Sequence, residues 1–201
     1  MEIKYFGHSC FRLKGKEIVL AINPFDPSLG IKISGLMSDI VLFTDKKDSY
    51  LSPLIVKPVT RENLFVIDSP GEYEVGGVFI LGVSTGKTTA YVVSMDDLRL
   101  VFLGDLKEKL SDKQIEDIID GTDILFLPTG DSKQASEIIN QIEPSIIIPM
   151  AYKLPGLKID LPLLGDFLKE IGKEATAIEK LIISKDKLPL EKEVVVLNAR
   201  S

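Results

Sequence analysis

The stretch Pro70–Val83 reads PGEYEVGGVFILGV and carries the clearest structural signal in this chain. Two runs rich in β-branched and aromatic residues, Tyr73–Val75 and Val78–Val83, flank Gly76-Gly77. A two-residue hairpin turn needs positive φ at its central positions, which glycine adopts without steric cost. The stretch therefore predicts an antiparallel β-hairpin.

Strand-like segments lie on both sides of this hairpin. They are short apolar runs separated by turn residues, a pattern typical of antiparallel sheets. The segments are Glu2–Phe6, Ser9–Leu13, Glu17–Ile22, Ile40–Phe43, Leu64–Ile67, Thr89–Ser94 and Leu98–Leu103. The last two flank Met95-Asp96-Asp97 and predict a second hairpin.

The C-terminal half alternates strands with helices. Helices are predicted at 110–120, 131–142 and 163–171, and strands at 123–127, 146–148 and 194–197. Ser111 and Asp131 are the predicted N-caps of the first two helices, and Asp160 is that of the third. Hairpins followed by alternating strands and helices predict an α/β fold of two packed sheets with helices outside, in one domain over residues 1–201.

The composition excludes several classes of function. Thirty acidic residues against 24 basic ones leave a net charge of −6, so we expect neither a nucleic-acid partner nor a membrane partner. The sequence shows no signal-peptide pattern and no apolar run of the ~20 residues that span a bilayer. Cys10 is the single cysteine, so no intrachain disulfide forms, and we expect a cytoplasmic location.

The histidine count bears on metal chemistry. A zinc site takes about three or four protein ligands, mostly histidine and cysteine. This chain has one of each, His8 and Cys10, two positions apart. A zinc centre built from this chain alone is therefore not expected.

Several motifs occur in a characteristic order along the chain. They are Gly7-His8-Ser9-Cys10-Phe11, Pro24-Phe25-Asp26, the segment 70–77, Gly104-Asp105-Leu106 and Ile148-Pro149-Met150-Ala151-Tyr152. Together they resemble the metallo-β-lactamase fold superfamily, in particular its small bacterial zinc-dependent-hydrolase-like branch, related to the L-ascorbate-6-phosphate lactonases. The resemblance covers nearly the whole chain and implies a four-layer αββα sandwich with the active-site groove along one edge of the two sheets.

The resemblance also implies which metal ligands this chain lacks. Metal-binding members carry His-x-His-x-Asp-His after a strand that corresponds to Ile40–Thr44, yet residues 45–50 contain no histidine. The next ligand histidine would fall near residues 84–86, which contain none, and the last is replaced by Ala151. Asp105 matches the bridging aspartate and is kept. We therefore expect no zinc cofactor and a degenerate metal site.

The residues that surround the former site define an expected vestigial groove. Its predicted lining is Asp26, Asp45, Lys47, Asp48, Tyr50, Asp105 and Tyr152, with Asp105 and His8 as candidate catalytic remnants. Lys47 falls where the family places a metal ligand. Its ammonium could replace the charge of the ion and pair with Asp105.

Each of these residues also has a structural interpretation. His8 could support its loop through hydrogen bonds, and Asp105 could cap the loop after its strand. The charged run 45–48 could be a solvated loop. Conversely, four aspartates could converge on Mg²⁺ or Ca²⁺, which take oxygen ligands: Asp26, Asp45, Asp48 and Asp105.

The sequence therefore favours a pseudoenzyme, a degenerate member of this fold with a binding or structural role toward a small molecule or a protein. One alternative is a hydrolase acting on a lactone, phosphodiester or other ester, using a hard cation on the aspartates or no metal. Another is a protein that binds a phosphorylated small molecule through Lys46 and Lys47.

Overall fold

The protein is described by a computed structural model that covers residues 1–45, 51–60, 62–106, 110–119 and 121–200. Within these ranges the strands form two sheets. The first contains, in spatial order, β12 (Leu181–Ile182), β1 (Glu2–Gly7), β2 (Cys10–Lys14), β3 (Val19–Ile22), β4 (Ile40–Leu42) and β5 (Phe65–Ile67). The second contains β13 (Glu193–Val194), β11 (Ile146–Met150), β10 (Ile124–Pro128), β9 (Leu98–Phe102), β8 (Thr89–Met95), β7 (Val78–Ser84) and β6 (Gly71–Val75).

The two sheets pack face to face through a buried apolar layer. Because side chains alternate between the faces of a strand, every second residue of each inner strand enters this layer. The rings of Phe11 and Phe126 meet edge to face across it, with centroids 4.8 Å apart. Phe126 also stacks on Phe102 at 4.0 Å. Burial of this layer supplies most of the stabilising free energy of the fold.

Three helices cover the outer face of the second sheet: α1 (Asp112–Ile119), α2 (Ser132–Ile142) and α3 (Leu164–Glu170). Their apolar stripes include Ile118, Ile138 and Phe167, which pack on the sheet. None of these helices, within the described residues, has the length and apolar character needed to cross a bilayer.

The outer face of the first sheet has a different covering. Loop segments with short 3-10 turns at Pro27–Leu29 and Pro53–Ile55 bury Phe25 and Leu29 against it. Proline at the start of each turn fixes φ and removes a backbone donor, which favours a short turn over an α-helix. The two-sheet α/β architecture is confirmed, but α-helix covers only one of its outer faces within the described ranges.

Turn and cap chemistry agrees with the sequence at most points. Gly76 and Gly77 both have positive φ in the β6–β7 hairpin. The main-chain N–H of Ser111 donates to the Gln114 side chain at 2.7 Å, and Asp131 caps α2.

The predicted cap at Asp160 is wrong. Helix α3 begins after Leu163, whose extended backbone follows Pro162, and no side chain caps it. The residue directly before a proline is held out of the helical region, which keeps Leu161 outside the helix and leaves Asp160 too far from Leu164 to cap it. The strand expected at 194–197 is also shorter, because regular pairing ends at Val194.

A buried carboxylate holds the start of β4 in place. Asp39 accepts hydrogen bonds from the Val19 N–H at 3.0 Å and from the Thr60 N–H and hydroxyl at 2.7 and 2.9 Å. Burial raises the pKa of Asp39, but these hydrogen bonds outweigh it and leave the pKa below its ordinary value. The side chain therefore sets the direction in which β4 runs toward the loop after it.

We expect Asp39→Asn to lower the free energy of unfolding by about 2–4 kcal/mol at neutral pH, because an amide cannot accept from all three donors. The stabilisation by Asp39 is present above the unfolded-state pKa of about 4 and is lost as pH falls through the lower folded-state pKa. Urea unfolding at a series of pH values measures both effects. Asp97→Asn, in the exposed β8–β9 turn, is the control, and equal effects of the two variants would contradict the assignment.

Candidate functional site

A cleft of about 350 Å³ opens where several strands end along one edge of the two sheets. The loops that follow β1, β3, β4, β9 and β11 all contribute to its lining. His8 and Ser9 follow β1, and Asn23 follows β3. Thr44 and Asp45 follow β4, Gly104 and Asp105 follow β9, and Ala151 follows β11. The segment before α3 adds Asp160 and its neighbours. The topology thus brings together polar residues that lie far apart in the sequence.

The side chain of Asn23 connects three of these loops. Its Oδ1 accepts from the Thr44 N–H at 2.9 Å. Its Nδ2 donates to the Thr44 hydroxyl at 2.8 Å and to Ser9 Oγ at 3.2 Å. Ser9 Oγ in turn lies 3.1 Å from Nδ1 of His8. Asn23 is 2% exposed, so its hydrogen bonds are shielded from water, and the three named contacts satisfy its donor and acceptor atoms.

The backbone of the cleft is strained. His8, Asn23 and Ala151 have φ of 53°, 47° and 54°, in the left-handed region. Among the described residues, the other non-glycine positions with positive φ are the β8–β9 turn and the C-cap of α2, where such angles are usual. His8 lies in the turn between β1 and β2, and asparagine tolerates this region, so Ala151 is the residue whose left-handed φ neither a turn nor its residue type explains. Strain of this kind is typical of functional sites and costs about 1–3 kcal/mol.

Glycine is required at one point of the rim. Gly104 has φ of +64°, and a Cβ built there would lie 2.7 Å from Cβ of Thr44. The loops after β4 and β9 therefore approach each other more closely than any other residue allows. This close approach places Asp45 and Asp105 in the lining of the same cleft.

The described donor set does not fit zinc. His8, Asp45, Asp105 and Asp160 line the cleft, yet no three His, Cys, Asp or Glu side chains among the described residues are arranged to hold a metal ion. Cys10 is fully buried and burial raises its pKa far above the ordinary value, so it offers no thiolate. Zinc needs three or four closely placed donors.

The structure places the predicted groove residues in three groups. His8, Asp45 and Asp105 line the cleft. Lys47, Asp48 and Tyr50, with Lys46, lie outside the described residues, so the pairing of Lys47 with Asp105 stays a prediction.

Asp26 and Tyr152 are the third group, and neither is among the lining residues of the cleft. The carboxylate of Asp26 accepts from the Ser28 N–H at 2.8 Å and caps a 3-10 turn, and that hydrogen bond lowers its pKa. Tyr152 is buried between the sheets and donates to the carbonyl of Leu197. Burial raises the pKa of Tyr152 to about 12.

Sequence reasoning did not assign Ser9, Asn23, Thr44 or Asp160 to the site. Asn23 carried one usable signal, because asparagine directly after a predicted strand is a residue that tolerates positive φ and bonds to backbone. Asp160 was assigned to a helix cap instead. Its place in the cleft depends on the extended path before α3, which only the tertiary structure shows.

The left-handed φ of Ala151 predicts the direction in which a glycine substitution changes the free energy of unfolding. Ala151→Gly relieves a left-handed alanine, so we expect the free energy of unfolding to stay level or rise by up to about 1 kcal/mol. Ala135→Gly, inside helix α2, is the matched control and is expected to lower it by about 1 kcal/mol or more. Urea denaturation measures both. An equal loss in the two variants would contradict the strain at Ala151.

Comparison with known proteins agrees with this architecture. Residues 2–151 match the profile of the Beta-lactamase superfamily domain. A Thermotoga maritima crystal structure, provisionally assigned as a Zn-dependent hydrolase of the metallo-β-lactamase superfamily, is 32% identical, covers 98% of both chains and superposes with a TM-score of 0.83.

Two archaeal proteins are also similar to this chain in sequence, at lower identity. A UPF0173 metal-dependent hydrolase of Archaeoglobus fulgidus is 24% identical over 91% of this chain and 96% of its own length. A UPF0173 protein of Pyrococcus abyssi is 27% identical over 78% of this chain and 85% of its own. With its paired sheets, its edge cleft and the profile match over most of its length, the chain belongs to the metallo-β-lactamase superfamily.

Proposed function

We propose that this protein is a degenerate member of its superfamily that works without zinc and binds a small polar molecule in the edge cleft. One observation carries the proposal: a left-handed alanine, Ala151, lines a cleft whose described donors do not fit zinc. Ala151 keeps a left-handed φ at the position where the resembled motif has a histidine. Strain of this kind persists only where surrounding structure enforces it.

The numbers of histidine and cysteine residues in the whole sequence support a protein that works without zinc. The complete sequence contains one histidine and one cysteine, and that cysteine is buried. Residues 46–50 and 107–109, which lie outside the described part, therefore add no histidine or cysteine. A zinc centre here would need mostly carboxylate ligands, which zinc enzymes rarely use as the majority of their set.

The names of the relatives point to the main alternative. The Archaeoglobus protein is named a metal-dependent hydrolase, and this chain would be one too if its aspartates held a hard cation such as Mg²⁺. Asp26 gives that alternative little support, because its carboxylate caps a turn and does not line the cleft. Asp48 lies outside the described residues.

The charge of the cleft favours one class of small ligand. Its described lining contains three aspartates and no lysine or arginine. Carboxylates accept hydrogen bonds from ligands that carry hydroxyl or amine donors. A volume of about 350 Å³ is in the range of small-molecule sites. We therefore favour a small ligand with hydroxyl or amine donors.

Elemental analysis of protein purified without a metal-affinity tag tests the central point. We expect far less than one zinc per chain after dialysis. We also expect a melting temperature that neither EDTA nor added zinc moves by more than about a degree, since a ligand that binds only the folded state must stabilise it.

Asp105→Asn separates the alternatives in the same assay. If EDTA lowers the melting temperature of the wild type but not that of this variant, a cation bound at Asp105 is present and the hard-cation hydrolase is the better account. Stoichiometric zinc with a raised melting temperature would overturn the proposal.

A further inference from the structure

Ser9 and Thr44 are buried hydroxyl residues in the described lining of the cleft, and Ser9 is the one beside His8. It is 7% exposed and lines the cleft at the turn between β1 and β2. Its Oγ lies 3.1 Å from Nδ1 of His8. A hydroxyl within hydrogen-bond reach of an imidazole nitrogen, in a concave site, is the arrangement that nucleophilic catalysis requires.

The Asn23 amide donates to Ser9 and leaves the proton of Ser9 available. The Thr44 N–H can only donate, so the amide atom that faces it at 2.9 Å is Oδ1. This leaves Nδ2 to donate to the hydroxyls of Thr44 and Ser9. Ser9 Oγ accepts from Asn23 and keeps its own proton to donate, and in the tautomer that carries the ring proton on Nε2 that proton points to Nδ1 of His8.

The backbone holds this pair in a tight turn. Gly7 and His8 have φ of 101° and 53°, so the chain reverses sharply between β1 and β2. The carbonyl of His8 accepts from the Tyr5 hydroxyl at 2.8 Å and from the Ala151 N–H at 2.7 Å. A strained turn that presents a serine at the end of a strand is a known way to hold a nucleophile.

We infer that Ser9 and His8 form a metal-independent nucleophile and base that accept the acyl group of a small carboxylic ester. The inference rests on the proposed use of the cleft as a zinc-free binding site and adds a reaction to it.

The reaction balances with groups already present and water. Ser9 Oγ forms a bond to the ester carbonyl carbon while its proton moves to Nδ1 of His8. The carbon–oxygen bond to the alkoxy group then breaks, and the leaving oxygen takes the proton from His8 as the alcohol departs. Water attacks the acyl-serine by the same path and releases the carboxylic acid.

The test uses the full chain in EDTA with p-nitrophenyl acetate as the probe. Release of p-nitrophenolate is followed by absorbance, and peptide mass spectrometry locates the acetyl group. We expect an acetyl group on Ser9 of the wild type. Ser9→Ala is expected to lose that adduct, while Ser94→Ala, a serine outside the cleft lining, is expected to keep it.

His8→Gly probes the base, because glycine accepts the positive φ and leaves room where the ring was. We expect acylation of Ser9 to slow by about 10²-fold to 10⁴-fold, the usual contribution of a general base. Added imidazole is expected to restore part of the rate in His8→Gly and none in Ser9→Ala. A purely structural role for His8 would show no such rescue.

Absence of an acetyl group on wild-type Ser9 would overturn the inference, as would acylation that His8→Gly leaves unchanged. The acetyl group is located on the wild-type protein, so the test stays valid even if Ser9→Ala fails to fold. Zinc content is measured on the same sample. Stoichiometric zinc would contradict the zinc-free proposal, whereas an unmodified Ser9 in zinc-free protein would contradict only the nucleophile.

Discussion

The side-chain amide of Asn23 is the interaction on which the cleft depends. Regular sheet pairing ends at Ile22 and Leu42. Single main-chain hydrogen bonds continue beyond these strands, from the Asn23 N–H to the Leu42 carbonyl at 2.9 Å and from the Thr89 N–H to the Thr44 carbonyl at 2.8 Å. The Asn23 side-chain amide adds to them: it binds the main chain and hydroxyl of Thr44 on one side and Ser9 on the other. A buried amide that uses three of its hydrogen-bonding positions fixes the relative position of both loops.

This network of hydrogen bonds holds the left-handed backbone of the cleft in place. Left-handed φ at His8, Asn23 and Ala151 costs free energy at each residue. The strain is retained because Ala151 bonds to the carbonyl of His8, while His8 is bonded through Ser9 to Asn23. The chain thus has a polar cleft at the edge of its two sheets, with one histidine in the whole sequence.

Local rules predicted the fold from the sequence better than they predicted the site. The Gly76-Gly77 hairpin and the Asp131 cap depend on neighbours a few residues away, and both are confirmed. Asp160 and Tyr152 depend on long-range packing, and the structure places one in the cleft and the other between the sheets. The partnership of Asn23 with Ser9 joins residues 14 positions apart and has no local sequence signal.

The ring nitrogens of His8, the single histidine, offer the most direct measurement of the account. Their NMR chemical shifts report which nitrogen carries the proton and whether either binds a metal. The account predicts a neutral ring protonated on Nε2, with Nδ1 accepting from Ser9, and no change on addition of one equivalent of zinc. A proton on Nδ1, or a shift of either nitrogen when zinc is added, would contradict it.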